Sequence, residues 1–397
     1  MRLFTLTSDL HSGMSRSARE EDFIRDIEAS LGEPFECLDS DFSSFGRPGD
    51  VIYVRTGGTE GLFLKSYKGH EGSPVRLLTS GKSNSLAASM EILSWLRGRG
   101  IPGEIIHGNV EEISSALRGA FAPAAASGLR RPFKGELQLR GKRYGVVGHP
   151  SDWLISSDVD YDAARRVLGA ELVDIPIDKL VSMVRGGVSA ELPDLKPLNL
   201  PKYGRPISEQ DWKGSMAIYS ALKNIVSEYS LDGLTLRCFD LLTALGNTGC
   251  MALAILNSEG LVATCEGDIP AMLTMALVRE RYGVSGFQAN LSRIEGDEFL
   301  FAHCTVPLNM VSDYCYDTHF ESGIGVAVHG LLPRGQARIV KTGASLEECL
   351  DVPVEILSNT YGNQLCRTQI LVRGDKALRD YFLREPLGNH HVLVPTR

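Results

Sequence analysis

Short apolar runs alternate with helical patterns over the first third of the chain. The runs at residues 3–6 and 51–54 each end in polar or glycine-rich residues, and a helical pattern follows each of them. The helix predicted over residues 84–96 places its large apolar side chains near one face, as packing on a sheet requires. The repeated order of strand, turn and helix is typical of a parallel sheet covered by helices.

A second segment with the same plan follows a connector. Residues 119–135 are rich in Ala, Pro and Gly, which indicates a domain boundary. From about residue 296, helices become scarce and short alternating strands dominate, as in an antiparallel barrel or sandwich. The sequence therefore predicts an α/β protein with two doubly wound parallel-sheet domains, 1–125 and 136–295, followed by a C-terminal antiparallel β-barrel domain, 296–397.

Composition narrows the class of protein. The 397 residues include 41 glycines, above the average of ~7%, which suggests many tight turns between strands and helices. The net charge of -8 without a basic run argues against a nucleic-acid partner. No apolar stretch approaches ~18 residues, and the N-terminus lacks the apolar core of a signal peptide. We therefore expect no membrane partner and a cytoplasmic location.

The eight cysteines include no CxxC pair, which favours reduced thiols over a zinc site.

Two acidic residues follow the apolar strand that ends near residue 265. Glu266 and Asp268 lie between this strand and an apolar helix. The carboxyl ends of strands in a wound sheet face the ligand crevice, so both carboxylates are candidates for chemistry. The alternative for Asp268 is a helix N-cap, with Pro270 in the first turn.

Histidines occur in two of the late strands. His303 lies inside an apolar run, where a core histidine is the alternative to a functional one. His390 and His391 are adjacent, so on a strand they point to opposite faces, and at most one faces a given pocket. A surface turn is the alternative for this pair.

A polar alternation occurs at residues 317–321. If this segment is a strand, Asp317, His319 and Glu321 share one face. That face is either a pocket wall or a solvated surface.

Two glycine-containing loops offer weaker signals. Residues 55–61 resemble an anion nest at a strand end, with a tight turn as the alternative. Residues 80–84 contain Lys82 within a GKS triplet, which we interpret as a helix N-cap that carries polar side chains toward a cleft. Neither segment has the Walker or GxGxxG spacing, so ATP and dinucleotide cofactors are not predicted.

Several segments of the second half, taken together, resemble the L-fucose isomerase and L-arabinose isomerase group. They are RCFD, TGCMALAILNSEG, ATCEGD, FQANLSRI, FAHCTVP and, near the C-terminus, NHHV. The resemblance is strongest over residues 230–397, and weaker in the first domain. It implies two α/β domains with a C-terminal barrel, and assembly as a homo-oligomer, a trimer or a hexamer.

The resemblance also implies a divalent metal bound by two carboxylates and one or two histidines. Mn²⁺ is the first choice, with Mg²⁺ or Co²⁺ as alternatives. Glu266 matches the first carboxylate, and the place of the second falls on Asn290. His303 matches one histidine, and His391 (or His390) matches the C-terminal one. An amide oxygen can ligate a hard cation but cannot take up a proton, so Asn290 departs from the group in its chemistry.

The activity implied by the resemblance is aldose–ketose isomerisation of an open-chain sugar through a cis-enediol. Glu266 is the expected acid/base group. The candidates for its partner are Asp268, His319, Glu321 and a water on the metal.

Two alternatives keep the scaffold but change its function. An isomerase of an anionic sugar, phosphorylated or sulfonated, would bind its substrate through Arg55, Lys82 or Arg367, with Asn389 as a further substrate-binding candidate. A sugar-binding relative without catalysis is the other alternative, and Asn290 favours it.

Overall fold

The first unit is a parallel sheet covered by helices. The computed structural model describes residues 1–8, 17–121, 127–198 and 205–396. The five strands of the first unit lie in the order β2-β1-β3-β4-β5 and are all parallel. They are β1 (Arg2–Leu6), β2 (Glu36–Asp39), β3 (Val51–Val54), β4 (Val75–Thr79) and β5 (Gly103–Ile106). The helices of this unit are α1 (Asp22–Leu31), α2 (Glu60–Tyr67), α3 (Ser85–Gly98) and α4 (Val110–Arg118).

Strands β3 and β4, in the middle of this sheet, are buried on both faces. β3 and β4 expose none of their side chains, which is why they appear in the sequence as continuous rather than alternating apolar runs. The sheet order reverses direction between β1 and β3. Such a switch point opens a crevice at the carboxyl ends of the strands.

The second unit repeats this plan with four parallel strands in the order β10-β9-β7-β8. The strands are β7 (Arg143–Val147), β8 (Glu171–Ile175), β9 (Gly233–Leu236) and β10 (Val262–Cys265). Its helices are α5 (Tyr161–Ala163), α6 (Ile177–Arg185), α7 (Glu209–Tyr229), α8 (Asp240–Leu245), α9 (Cys250–Ser258) and α10 (Ile269–Tyr282). Helix α9 is buried over almost its whole length, so it carries no polar face.

The third unit is a closed antiparallel barrel of six strands, in which β15 pairs with both β18 and β16. They are β11 (Phe287–Glu295), β12 (Glu298–His303), β15 (Gly335–Thr342), β16 (Glu348–Thr360), β17 (Thr368–Arg373) and β18 (His391–Pro395). The short strand β6 (Arg131–Pro132) adds to β16 at the barrel's side, and helix α11 (Lys376–Arg384) precedes β18. The predicted fold class is confirmed. The first barrel strand, β11, lies ahead of the boundary that we placed at residue 296.

The polar alternation at residues 317–321 is not a strand. A separate hairpin pairs β13 (Asp313–Asp317) with β14 (Ala327–Leu331). β13 ends at Asp317, and the following residues form a turn in which the Gly323 N–H donates to the His319 carbonyl. The prediction that Asp317, His319 and Glu321 share one strand face is therefore wrong, because the chain turns back at His319 before the alternation can continue.

The buried side chain of Glu91, on helix α3 of the first unit, is hydrogen-bonded to the other two units. Glu91 Oε1 accepts hydrogen bonds from the Ser156 N–H and the Ser157 hydroxyl of the second unit. Its Oε2 accepts from the Asn389 N–H beside the barrel strand β18. These charge-assisted bonds fix the first unit against the edge where the other two meet. No helix in the described ranges is long and apolar enough to cross a membrane.

Candidate active site

A tight turn after β10 places Glu266 at the centre of the candidate site. Glu266 has a φ of 66° and Gly267 a φ of 69°, so the chain reverses within two residues. A side chain at Gly267 would lie 2.5 Å from the His149 carbonyl oxygen, which explains the glycine. A non-glycine residue in the left-handed region is strained, and such strain is concentrated at functional sites.

Two histidines from the barrel converge on the Glu266 carboxylate. Glu266 Oε1 lies 3.7 Å from His303 Nε2 and 3.3 Å from His390 Nε2. Trp153 Nε1 donates a 2.6 Å hydrogen bond to the other oxygen, Oε2. All three residues of the Glu266, His303 and His390 cluster are buried, and their nearest nitrogen and oxygen atoms lie within 4.8 Å of one another. Three borderline or hard donors at this spacing suit a divalent cation.

The histidine rings are oriented by second partners. His390 Nδ1 lies 2.8 Å from Asp268 Oδ2, and His303 Nδ1 lies 2.9 Å from the Thr305 hydroxyl. Both contacts leave Nε2 directed at Glu266, the arrangement found around histidines that bind metal ions. Asp268 also caps α10 by accepting from the Ala271 N–H, so the alternative interpretation of Asp268 as an N-cap is confirmed.

Charges at the cluster are strongly coupled. Burial alone would raise the pKa of Glu266, but His390 and His303 outweigh it and lower that pKa well below its usual range. Burial would lower the pKa of His390, but Glu266 and Asp268 raise it to about 10. Asp268 is likewise held ionised, because Lys341 and His390 lower its pKa against the effect of burial. The site is thus built to balance a concentrated positive charge.

A buried polar atom without a hydrogen-bond partner near Glu266 indicates whether a metal ion fits the site. The Asn290 Oδ1 atom is buried and makes no hydrogen bond, whereas His390 Nε2 has the 3.3 Å contact with Glu266 Oε1. A buried polar atom without a partner is costly, so Asn290 Oδ1 is expected to have one in the functional protein. A divalent cation among Glu266, His303, His390 and Asn290 would give Asn290 Oδ1 a partner through ordinary ligand chemistry. The residues present therefore fit the metal.

Of the two C-terminal histidines, the structure places His390, and not His391, beside Glu266. The ring of His391 contacts the Asn389 carbonyl through Nδ1 and the Tyr381 hydroxyl through Nε2. Burial lowers the pKa of His391 to about 3, so it is a neutral core histidine.

Glu266 connects the cluster to a cleft at the carboxyl ends of both parallel sheets. The space between the lining residues, including the part that is open to solvent, is about 420 Å³. Its lining comes from loops that follow β3, β4, β7, β9 and β10, together with Asn290, Glu321 and Asn389. Ligands of wound sheets bind at such strand ends, so the cleft is the natural place for a small-molecule substrate.

Glu321 reaches this cleft from the turn after β13. Its Oε1 accepts a 2.9 Å hydrogen bond from Asn84 Nδ2. Burial, and then the negative charge of Glu266, raise the pKa of Glu321 to about 7. His319, in the same turn, packs its ring 5.4 Å from Phe239, a residue of the cleft wall. Of the two, Glu321 lines the cleft and titrates in the range that acid/base catalysis requires.

Two predicted substrate-binding arginines are engaged by the protein itself. Arg55 is buried, pairs with Glu21 and hydrogen-bonds the Thr7 hydroxyl. Arg367 is 1% exposed and donates to the Thr318 carbonyl, with Asp317 3.3 Å away, so it secures the turn that carries Glu321.

The other two predicted substrate-binding residues differ from each other. Lys82 is exposed in the loop before α3 and is not among the residues that line the cleft, whereas Asn389 lines it. The Oδ1 atom of Asn389 is buried without a hydrogen-bond partner. Asn389 is therefore placed to contact a ligand.

Sequence reasoning missed Trp153 and Glu60, which both line the cleft. Trp153 follows β7, and its position after a strand end was a signal that could have been used. Glu60 stands in the glycine-rich segment that we interpreted only as a turn or an anion nest. The buried Glu91 gave no signal, because it occupies a regular position in a helix.

Asp268→Asn tests the orientation of His390. The amide oxygen can still cap α10, but the carboxylate that fixes the His390 tautomer is lost. We expect a loss of about 10–100-fold in Mn²⁺ affinity, measured from the electron paramagnetic resonance signal of free Mn²⁺. The matched control is Asp375→Asn, another N-cap, which accepts from the Leu378 N–H far from the cluster. Equal Mn²⁺ affinity in the two variants would show that Asp268 does not support a metal site.

The comparisons with known proteins give one distant similarity. No protein-family signature matches the chain. The chain is similar to the sulfoquinovose isomerase of Alkalicoccus urumqiensis, with 22% identity over 226 residues. The aligned part is 56% of this chain and 49% of that protein, so the match spans about half the length of the curated relative.

Proposed function

We propose that the protein is a metal-dependent aldose–ketose isomerase that acts on an open-chain sugar. One observation carries the proposal. Glu266, the carboxylate of the Glu266, His303 and His390 cluster, lines a cleft that is also lined by Glu321, whose pKa is raised to about 7. A cation site and a second proton-active group are what the transfer of a proton between C1 and C2 requires.

The residues have distinct roles in this proposal. Glu266, His303, His390 and Asn290 hold the metal. When bound, the cation polarises the sugar carbonyl and lowers the pKa of the neighbouring C–H and O–H groups. Trp153 fixes the Glu266 carboxylate by its hydrogen bond to Oε2.

Proton transfer is divided between two carboxyl groups. Glu266 takes the proton from the carbon next to the carbonyl and returns it to the former carbonyl carbon, by way of a cis-enediol. Glu321, in its protonated form, donates to the carbonyl oxygen, and its carboxylate then takes the proton from the hydroxyl group that becomes the new carbonyl. Asn290 stands where the resemblance expects a second carboxylate. Glu321 supplies the proton that an amide cannot, which favours catalysis over the sugar-binding alternative.

The charge of the substrate separates two candidate functions. Within the described part of the chain, no lysine or arginine lines the cleft, which favours a neutral sugar. The similarity to a sulfoquinovose isomerase favours the second candidate, an isomerase of a sulfonated or otherwise anionic sugar.

A panel of aldoses and ketoses distinguishes the candidates. Neutral, phosphorylated and sulfonated sugars are incubated with the Mn²⁺-loaded protein, and the formation of the isomer is followed by chromatography. We expect turnover of a neutral sugar. Turnover of anionic sugars alone would support the second candidate. No isomer from any sugar would contradict the proposed function.

A further inference from the structure

Glu60 is a buried acid that has no role in the proposed metal binding or proton transfer. It is the first residue of α2, follows the Gly57-Gly58 turn after β3, and is only 2% exposed. Its side chain lines the same cleft as Glu266, Asn290 and Glu321, yet its Oε2 atom has no hydrogen-bond partner. A buried carboxyl oxygen without a partner is costly, so its presence at a ligand crevice calls for a partner outside the protein.

The location of Glu60 fits a contact with substrate. The loop after β3 borders the switch point of the first sheet, between β1 and β3, where wound sheets bind ligands. Asn389 also presents an unpartnered, buried oxygen to the cleft. These two unsatisfied oxygens match the hydroxyl groups of a polyol, each of which can donate one hydrogen bond.

We propose that Glu60 is a further substrate-binding residue, whose carboxyl group hydrogen-bonds a hydroxyl of the sugar chain away from the reacting carbonyl. This inference rests on the proposed function. It adds a source of selectivity for hydroxylated chains from the first domain, whereas the proposed metal ligands and proton-transfer groups come from the second and third domains.

The surroundings of Glu60 determine which form of the acid binds. Burial raises its pKa well above the usual range, and the negative charges of Glu91 and Glu266 raise it further. The raised pKa favours the protonated form of Glu60, which both donates and accepts, over the carboxylate, which only accepts. The same environment repels an anionic substituent, so the contacted group is a neutral hydroxyl.

Two substitutions separate the hydrogen bond from the charge. Glu60→Gln keeps a neutral donor and acceptor of the same length. Glu60→Leu keeps the approximate volume but removes both hydrogen-bonding functions. Glu111→Leu is the matched control, because Glu111 is exposed on α4 of the same domain.

The probe is an alditol, since a sugar without a carbonyl binds but cannot be turned over. Five- and six-carbon alditols are titrated into the Mn²⁺-loaded full chain by calorimetry. The tightest-binding alditol is then compared with its deoxy analogues, and Tm is measured for each variant.

We expect Glu60→Leu to weaken binding of the full alditol about 10–100-fold. For the deoxy analogue that lacks the contacted hydroxyl, we expect Glu60→Leu and the wild type to bind with the same affinity. We expect Glu60→Gln to stay within about threefold of the wild-type affinity, because it preserves the neutral hydrogen-bonding pair. The Tm of Glu60→Leu should stay within a few degrees of that of the wild type, since the substitution removes a buried carboxyl group that has one unpaired oxygen.

Three results would contradict the role of Glu60 without contradicting the proposed function. The first is wild-type alditol affinity in Glu60→Leu, and the second is an equal loss of alditol affinity in Glu60→Gln and Glu60→Leu. The third is a lowered Tm of Glu60→Leu together with equally weakened binding of every alditol and deoxy analogue. Failure of all alditols to bind the wild-type protein would instead contradict the sugar cleft of the proposed function.

Discussion

Glu266→Gln is expected to lose at least about 10³-fold in kcat/KM while keeping its fold. The amide has the size of the carboxylate and can still accept the Trp153 hydrogen bond. It cannot take a proton, and it weakens the anionic ligand between His303 and His390. The loss therefore combines the missing base with a weakened metal site. The measurement is steady-state kinetics on the best sugar of the panel, with saturating Mn²⁺.

The control for this variant is Glu280→Gln, which makes the same chemical change at an exposed position of α10, the helix that follows Glu266. Glu280→Gln should keep wild-type kinetics. Glu266→Gln should unfold within a few degrees of the wild-type Tm, so that its loss is not a loss of folding. Near-normal turnover in Glu266→Gln would remove Glu266 from the mechanism.

Glu321→Gln is expected to lower kcat/KM about 10²-fold or more and to change its pH dependence. The pKa of Glu321 is raised from 4.5 to about 7 by burial, by the negative charge of Glu266 and to a smaller extent by Cys304, against the opposing effect of the Asn84 hydrogen bond. Below pH 7 the carboxyl group is protonated and can donate to the sugar oxygen. Above pH 7 it is ionised, so kcat/KM of the wild type should fall about tenfold per pH unit.

The pH profile is the diagnostic part of this prediction. An amide does not titrate, so the descending limb near pH 7 should be absent in Glu321→Gln. The control is Glu347→Gln, at an exposed position of the barrel, which should retain the limb. A rate that rises through pH 7 in the wild type would reverse the role of Glu321 and make it a base. An unchanged profile in Glu321→Gln would exclude Glu321 from proton transfer.

The sequence predicts the fold class because each parallel strand carries its own local signal. Runs such as residues 51–54 are apolar throughout and end at glycines, which is the pattern of a strand buried on both faces. The start of the barrel carries no such signal. β11 follows α10 much as a further strand of the second sheet would, and only its long-range pairing with β12 and β18 assigns it to the barrel.

The candidate site is only partly visible in the sequence. The position of Glu266 follows from its place between a strand and a helix. The choice between His390 and His391 depends on which strand face the core covers, and that is decided by packing. Arg55 looked available because its partner Glu21 lies 34 residues away in the chain. Glu60 was missed because burial, and not residue type, makes it unusual.

Aldose–ketose conversion in D₂O tests the central claim most directly. The protein is freed of metal with a chelator, supplied with the sugar panel, and measured before and after addition of Mn²⁺. We predict no conversion without metal. After Mn²⁺ is added, we predict ketose or aldose carrying solvent deuterium at C1 or C2, as proton transfer through an enediol allows. If the Mn²⁺-loaded protein produced neither isomer nor deuterium exchange at these carbons, the proposed isomerase would be contradicted.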